Sequence, residues 1–169
     1  AYWEQRYDTM PKEKVVGTKD WTDQQYKEEL NVWNSKLQPF LDYTKKIGIK
    51  KMLDFGCGIG RFEPLLAKYG DSYFGCDIIL PEQPKGSENL LGWQLSIIKD
   101  HQIPFDNTKF DLIFSCVTLQ HVIDPNLLKH YINQFYKRLN QLGFVLIVEN
   151  ISNKPSNNYL TYQSREKYI

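Results

Sequence analysis

Short apolar runs alternate along the chain with segments in which apolar side chains recur every three or four residues. The runs predict buried strands at about 50–55, 72–77, 93–98, 110–116 and 143–149. The periodic segments predict helices at about 61–69 and 125–140, the second one capped by Asp124 and opened by Pro125. Apolar strands that alternate with helices form parallel sheets covered on both faces. The pattern therefore predicts an α/β domain with a doubly wound, mostly parallel sheet.

The N-terminal segment has a different pattern, which predicts helix without strand. Between Trp21 and Ile47, apolar side chains lie at helix-compatible spacing, and Pro39 among them predicts a kink or a break. We therefore divide the chain into an N-terminal helical segment, residues 1–48, on the substrate side, and a sheet-containing core, residues 49–169. Both belong to a single domain on grounds of length.

Composition narrows the classes of partner. The chain has 169 residues, of which 41% are hydrophobic, and its formal net charge is +1. No basic run with interleaved aromatic residues indicates nucleic acid, and no apolar segment is long enough for a membrane span. The three cysteines, Cys57, Cys76 and Cys116, lack metal-ligand spacing, and their odd number argues against a disulfide framework. The sequence predicts reduced thiols, a cytoplasmic location and no metal site.

The richest chemical signal is a glycine loop that follows the first predicted strand. It reads Asp54-x-Gly56-x-Gly58-x-Gly60 and leads at once into a predicted helix. Such a loop lets a ligand approach the backbone at the positive end of the helix dipole. The dinucleotide pattern Gly-x-Gly-x-x-Gly would need a third glycine where Arg61 stands. Asp54 would repel a pyrophosphate, whereas it would hold an ammonium group such as that of S-adenosylmethionine.

Residues 53–60 resemble the first motif of the class I S-adenosylmethionine-dependent methyltransferases. The resemblance implies a Rossmann-like fold, with S-adenosyl-L-methionine as methyl donor and S-adenosyl-L-homocysteine as product. It implies that Asp54, the three glycines and Cys57 contact the cofactor, Cys57 as a small loop residue and not as a nucleophile. Members of the family carry two further strands after the fifth, and we expect these C-terminal strands to be missing here.

Two acidic residues downstream extend the resemblance. Asp77 ends the second apolar run, 23 positions after Asp54 (77 − 54), close to the offset of roughly 20 residues for a ribose-binding acid. Its carboxylate could accept both ribose hydroxyls while Ile78 packs on the adenine; a strand-end cap is the alternative. Asp100 is similar to the family's acid that meets the adenine amino group, and a solvent-exposed acid is the alternative there.

Residues 110–122 resemble the family's fourth strand and the loop that follows it, with a Leu-x-His-Val pattern at the end. The resemblance implies that backbone carbonyls near Cys116 and Val117 face the methionine part of the cofactor. His121 lies at the edge of the expected cleft, and an imidazole, which titrates near neutral pH, suits a general base. The alternative is a histidine kept for packing or for starting a helix.

Residues 2–7 are similar to the opening segment of many small-molecule methyltransferases, which folds over the cofactor as a lid. The resemblance implies that Arg6 could meet the methionine carboxylate and that Tyr2, Trp3 and Tyr7 could wall the substrate pocket. An aromatic helix packed onto the domain is the alternative.

The resemblance as a whole implies a methyltransferase that moves a methyl group to an oxygen or nitrogen of a small-molecule acceptor. The alternative is a non-catalytic S-adenosylmethionine-binding regulatory or partner subunit, which the expected loss of C-terminal strands favours. A nucleic-acid amino-methyltransferase is disfavoured, because Ser115–Thr118 stand where that class has Asn/Asp-Pro-Pro-aromatic. The sequence predicts neither the identity of the acceptor nor the oligomeric state.

Overall fold

The computed structural model describes residues 2–10, 15, 21–80, 93–150 and 160–161, and its five strands form one parallel sheet. In the spatial order β3-β2-β1-β4-β5, the strands are β1 (Lys51–Phe55), β2 (Ser72–Asp77), β3 (Trp93–Ile97), β4 (Phe110–Cys116) and β5 (Leu139–Val148). The order reverses between β1 and β4, and ligands bind outside the carboxyl ends of strands at such a reversal. The doubly wound parallel fold predicted from the sequence is confirmed.

The described helices begin at local sequence signals. They are α1 (Tyr2–Thr9), α2 (Asp23–Lys46), α3 (Glu63–Leu66) and α4 (Pro125–Arg138), with a 3-10 turn at Leu119–His121. Thr22 caps α2 in a reciprocal capping box with Gln25, and the Asp124 side chain accepts the amide of Asn126 at 2.8 Å to cap α4. None of these helices combines the length and apolar character that crossing a bilayer requires.

Both faces of the sheet are covered by helices, as the apolar strands predict. On one face, Leu37 and Leu41 of α2 pack with Met52 and Phe114 in a cluster that also includes residues of α3. On the other face, the ring of Phe55 lies 4.9 Å from those of Tyr131 and Phe135 in α4. Alternate side chains of β1 and β4 thus enter opposite clusters, which holds the central strands rigidly beneath the crevice.

Three local predictions need correction. Helix α2 runs over 24 residues without the break that Pro39 could cause. Pro39 is exposed, so water can reach the backbone carbonyl that it leaves without an amide partner. Helix α3 has only four residues: Pro64 can occupy only the first turn, so the helix cannot start far before it, and the chain passes into turns from Ala67 onward. Strand β5 begins at Leu139, since a register shift lets that residue pair with Phe110 ahead of the apolar run.

The loop after β1 and the loop after β4 touch directly at the crevice. Gly56 has φ +78°, and a Cβ atom added to it would lie 2.1 Å from Cγ2 of Thr118. The Thr118 hydroxyl also donates to the carbonyls of Gly56 at 3.4 Å and Cys116 at 3.2 Å. Glycine at this position is therefore required both by its left-handed backbone and by the neighbouring loop.

Gly56→Ala should destabilise the domain more than Gly48→Ala, which is a matched control. Gly48 has φ +76° but nothing within 4 Å of an added Cβ, so its substitution adds only left-handed strain of about 1–2 kcal/mol. At Gly56 the clash with Thr118 should add about 1–3 kcal/mol, as overpacking does. Urea denaturation of both variants measures the difference. Equal losses would mean that the Gly56–Thr118 contact relaxes without cost.

Candidate active site

A cavity of about 350 Å³ opens at the carboxyl ends of β1, β2 and β4, within the range of roughly 300–1,000 Å³ for small-molecule sites. Its walls are formed by the glycine loop, the loop after β4, the start of α4 and the inner side of α1. The residues predicted from the sequence that line it are Trp3, Tyr7, Asp54, Gly56, Cys57, Gly58, Asp77, Ile78, Cys116, Val117 and His121. The topology thus brings together residues from distant parts of the chain.

Four predicted site residues do not line the cavity. Gly60 forms the turn before α3, where its amide donates to the Cys57 carbonyl at 2.9 Å. Asp100 is exposed, and its neighbour His101 lines the cavity instead; both residues have positive φ. Tyr2 and Arg6 are beside the lining residue Trp3 but do not line the cavity themselves; the Arg6 guanidinium donates to the Tyr2 hydroxyl at 3.0 Å and lies 5.5 Å from the centroid of the Trp3 ring.

Asp54 is a buried carboxylate at the end of β1, with 2% of its surface exposed. It accepts a hydrogen bond from the Tyr73 hydroxyl at 2.8 Å. Burial raises the pKa of Asp54 to about 7. The hydrogen bond from Tyr73 lowers this pKa, the nearby charge of Asp77 raises it further, and the charge of Arg61 lowers it. Ionisation of Asp54 is costly unless a cation enters the cavity beside it.

Asp77 ties the end of β2 to the glycine loop. One carboxylate oxygen accepts the Gly58 amide at 2.8 Å and the other accepts the Ile78 amide at 2.7 Å. Burial raises the pKa of Asp77 in spite of these bonds. The strand-end cap weighed in the sequence is present, and a third amide, that of Ile79, also donates to this carboxylate. About one of its roughly four lone-pair sites is then left for a hydroxyl, and the ribose role stays a prediction.

The cysteine thiols near the cavity are kept protonated. Burial raises the pKa of Cys57, and the charges of Asp54 and Asp77 raise it further. Burial likewise raises the pKa of Cys116 to about 12. A thiol in such surroundings is a poor nucleophile, which agrees with the interpretation of Cys57 as a small loop residue.

Helix α1 contributes aromatic side chains to the open side of the cavity. The Trp3 ring meets the His121 ring edge to face, with centroids 4.9 Å apart and planes at 88°. The Tyr7 hydroxyl is buried and has no hydrogen-bond partner among the described residues. Burial raises the pKa of Tyr7, and the charges of Asp77 and Cys57 raise it further, so a neutral hydroxyl lies near those groups.

Arg61, which the sequence analysis used only to exclude a dinucleotide pattern, lines the cavity. Its guanidinium lies 3.4 Å from a carboxylate oxygen of Glu29 on α2 and 4.8 Å from the centroid of the Phe62 ring. Its charge lowers the pKa of Asp54 and of Cys116 against the effect of their burial. A cation held in this position suits a ligand carboxylate.

Glu149, the residue directly after β5, also escaped the sequence analysis. Its Oε1 accepts the amides of Thr118 at 3.0 Å and Leu119 at 2.7 Å, in the loop after β4. The signal was present in the sequence, because an acidic residue follows the apolar run of β5 just as Asp77 ends that of β2. The partners of Glu149 lie 30 and 31 positions away, so only the fold reveals them.

Comparison with known proteins identifies the family. A family model described as a methyltransferase domain matches residues 24–165. Over 140 residues the chain is 31% identical to phosphoethanolamine N-methyltransferase 1 of Zea mays, a match that covers 75% of this chain and 27% of that protein. The chain therefore spans about a quarter of the length of that curated relative.

Solved structures resemble the fold at low sequence identity. An S-adenosylmethionine-dependent methyltransferase from Clostridium acetobutylicum matches with a TM-score of 0.56 and 20% identity, over 70% of this chain and 50% of that one. An S-adenosylmethionine-bound amino pentose methyltransferase from Micromonospora echinaspora matches with a TM-score of 0.59 and 13% identity, over 87% and 67% of the two chains.

These matches agree with the motifs in the sequence and with the cavity at the sheet reversal. The family match covers most of the chain, including the glycine loop, Asp77 and the loop after β4. The cofactor predicted from the glycine loop, S-adenosylmethionine, is confirmed at the level of the family. The chain belongs to the class I S-adenosylmethionine-dependent methyltransferases.

Proposed function

We propose that this chain binds S-adenosylmethionine in the cavity at the sheet reversal and transfers its methyl group to a small-molecule acceptor, at nitrogen or oxygen. The observation that carries the proposal is that one cavity joins Asp54, the glycine loop and Asp77 to the aromatic residues of α1 and to His121. Cofactor and acceptor sites must adjoin in this way, because methyl transfer is an in-line displacement that depends on alignment and exclusion of water.

The donor set of the cavity fits the cofactor. Asp54 and Asp77 are two carboxylates whose ionisation burial disfavours, and a ligand with an ammonium group and a sulfonium would offset that cost. The Tyr7 hydroxyl beside them, to which no described residue is hydrogen-bonded, supplies a further polar contact for a ligand. S-adenosylmethionine supplies an electrophilic methyl group on its sulfonium. We assign a ribose hydroxyl to Asp77 and the ammonium to Asp54.

The remaining cofactor contacts follow from the same cavity. Ile78 is 49% exposed beside Asp77 and offers an apolar surface for the adenine. We keep Cys116 and Val117 as backbone contacts to the methionine part, since both line the cavity. We transfer the proposed carboxylate contact from Arg6 to Arg61, because Arg61 lines the cavity and Arg6 does not.

The acceptor side is proposed to lie between α1 and the loop after β4. Trp3 and Tyr7 provide aromatic walls, which favour cationic or amine-bearing molecules. Nitrogen is the favoured acceptor atom, because the maize relative is a phosphoethanolamine N-methyltransferase and a structural neighbour methylates an amino pentose. His121 could hold the proton that the acceptor loses, since its ring lies at the same wall. A cytoplasmic location and the division of the chain at residue 48 remain predictions.

Asp77→Ala should weaken the binding of S-adenosylmethionine and S-adenosylhomocysteine by about 1–3 kcal/mol, through loss of hydrogen bonds to a charged group. The matched control is Asp100→Ala, which removes an exposed aspartate outside the cavity and should leave affinity unchanged. Titration calorimetry measures both. If the two variants bind alike, Asp77 does not hold the ribose.

Affinity for S-adenosylhomocysteine should rise with pH. Burial raises the pKa of Asp54 from 3.8 to about 7, so the folded chain binds this proton more tightly than the unfolded chain. The free energy of unfolding of the ligand-free protein should therefore fall as pH rises from about 4 to about 7. A bound ammonium favours the ionised carboxylate, so affinity should increase over the upper part of that interval and level off above it.

Calorimetry and thermal melting between about pH 5.5 and 8 test these opposite trends. The side chain in Asp54→Asn cannot ionise, so the contribution of this position to the pH dependence of affinity and of stability should disappear. An affinity that is constant or falls with rising pH in the unsubstituted chain would argue against a carboxylate–ammonium contact.

Methyl transfer is tested by incubating the chain with S-adenosylmethionine and paired acceptors, each an amine and its hydroxyl analogue, including phosphoethanolamine and an amino sugar. S-adenosylhomocysteine and methylated product are quantified by mass spectrometry, and we expect product from amines. His121→Ala should lower turnover by about 10²–10⁴-fold with cofactor affinity intact, whereas His130→Ala, outside the cavity lining, is the control. Cofactor binding without product from any acceptor would favour the binding-only alternative.

A further inference from the structure

The loop after β4 has a backbone that its own sequence does not favour. Val117 adopts φ +55°, a conformation that β-branched residues rarely occupy. Its amide donates to the Val148 carbonyl at 2.7 Å, which extends the pairing of β4 with β5 by one residue before the chain turns away. A strained loop of this kind persists only where its surroundings over-determine it.

The 3-10 turn that follows lacks the cap that its sequence would supply. Thr118 precedes the turn, yet its side chain makes no capping hydrogen bond; its hydroxyl instead lies within hydrogen-bond distance of the carbonyls of Gly56 and Cys116. The amides at the start of the turn therefore need another acceptor. Glu149 Oε1 provides it, accepting the amides of Thr118 and Leu119.

Glu149 is not among the residues that line the cavity, whereas Val117, Thr118 and His121 are. Any effect of Glu149 on the site must therefore pass through the loop. We propose that Glu149 is a positioning residue, whose carboxylate holds the loop after β4 in the conformation that forms one wall of the cavity and presents His121 to it. The expected effect on cofactor affinity rests on the proposed function, whereas the hold on the loop rests on the hydrogen bonds described above.

The surroundings of the second carboxylate oxygen of Glu149 agree with a side chain that serves the loop amides alone among the described residues. Oε2 is buried and has no hydrogen-bond partner among the described residues. Burial raises the pKa of Glu149 to about 7, while its bonds to the amides of Leu119, Thr118 and Gln120 oppose the shift. A carboxylate in this position is costly for stability, and only the amides that it accepts offset that cost.

Three variants separate positioning from charge and from bulk. Glu149→Gln keeps an acceptor oxygen where Oε1 lies but cannot ionise. Glu149→Leu removes the hydrogen-bond acceptor and keeps a side chain of similar size. Glu149→Asp keeps the carboxylate but shortens the side chain by one methylene, and this variant should fold in any case. Phe135→Leu, a substitution in the core under α4, is the control for a general loss of stability.

The first readout is native-state hydrogen exchange of the Thr118 and Leu119 amides in the ligand-free chain, followed by NMR. Exchange should be slow in the unsubstituted chain, in Glu149→Gln and in Phe135→Leu, and about tenfold or more faster in Glu149→Leu and Glu149→Asp. Unchanged protection of both amides in the Leu and Asp variants would overturn the proposal.

The second readout is the calorimetric dissociation constant for S-adenosylhomocysteine. It should rise about tenfold in Glu149→Leu, remain within about threefold in Glu149→Gln and stay unchanged in Phe135→Leu. A loss of affinity in Glu149→Leu that the Gln variant does not rescue would overturn positioning in favour of charge. If the unsubstituted chain binds no S-adenosylhomocysteine, the proposed function fails, while the exchange rates still decide the role of Glu149.

Discussion

The close approach of two loops at the sheet reversal is the constraint on which the cavity depends. Gly56 and Thr118 touch without room for a Cβ atom between them, and this contact joins the end of β1 to the turn that carries His121. The strands beneath are fixed by cores on both faces, so the loops inherit a rigid base.

Buried carboxylates are the second shared feature of this edge of the sheet. Asp54, Asp77 and Glu149 stand at or just after the ends of β1, β2 and β5, and burial raises the pKa of each. Each accepts hydrogen bonds that partly offset the cost: Asp54 from a hydroxyl, the other two from loop amides. Burial therefore makes ionisation of all three carboxylates costly at this edge of the sheet.

Two sides of the cavity are built differently. Strand ends and tight turns line one side, whereas α1 forms the other through Trp3, Tyr7 and the ring contact with His121. Helix α1 has eight residues and none of them is fully buried, whereas β1 and β4 lie within the two cores of the sheet.

The sequence by itself determined the strands, their parallel order and the chemistry of the glycine loop, because apolar runs and glycine spacing are local features. Asp77 and His121 could be found from motifs, since each lies at a fixed distance from a strand end. Asp100, Arg6 and Glu149 could not be judged in this way. The direction of a side chain depends on helix orientation and on partners some 30 residues away, so only the folded chain shows that Arg61 and His101 line the cavity whereas Arg6 and Asp100 do not. Contacts between residues far apart in the chain decided which polar groups face the cavity and which hold its walls. Local sequence patterns do not reveal such contacts.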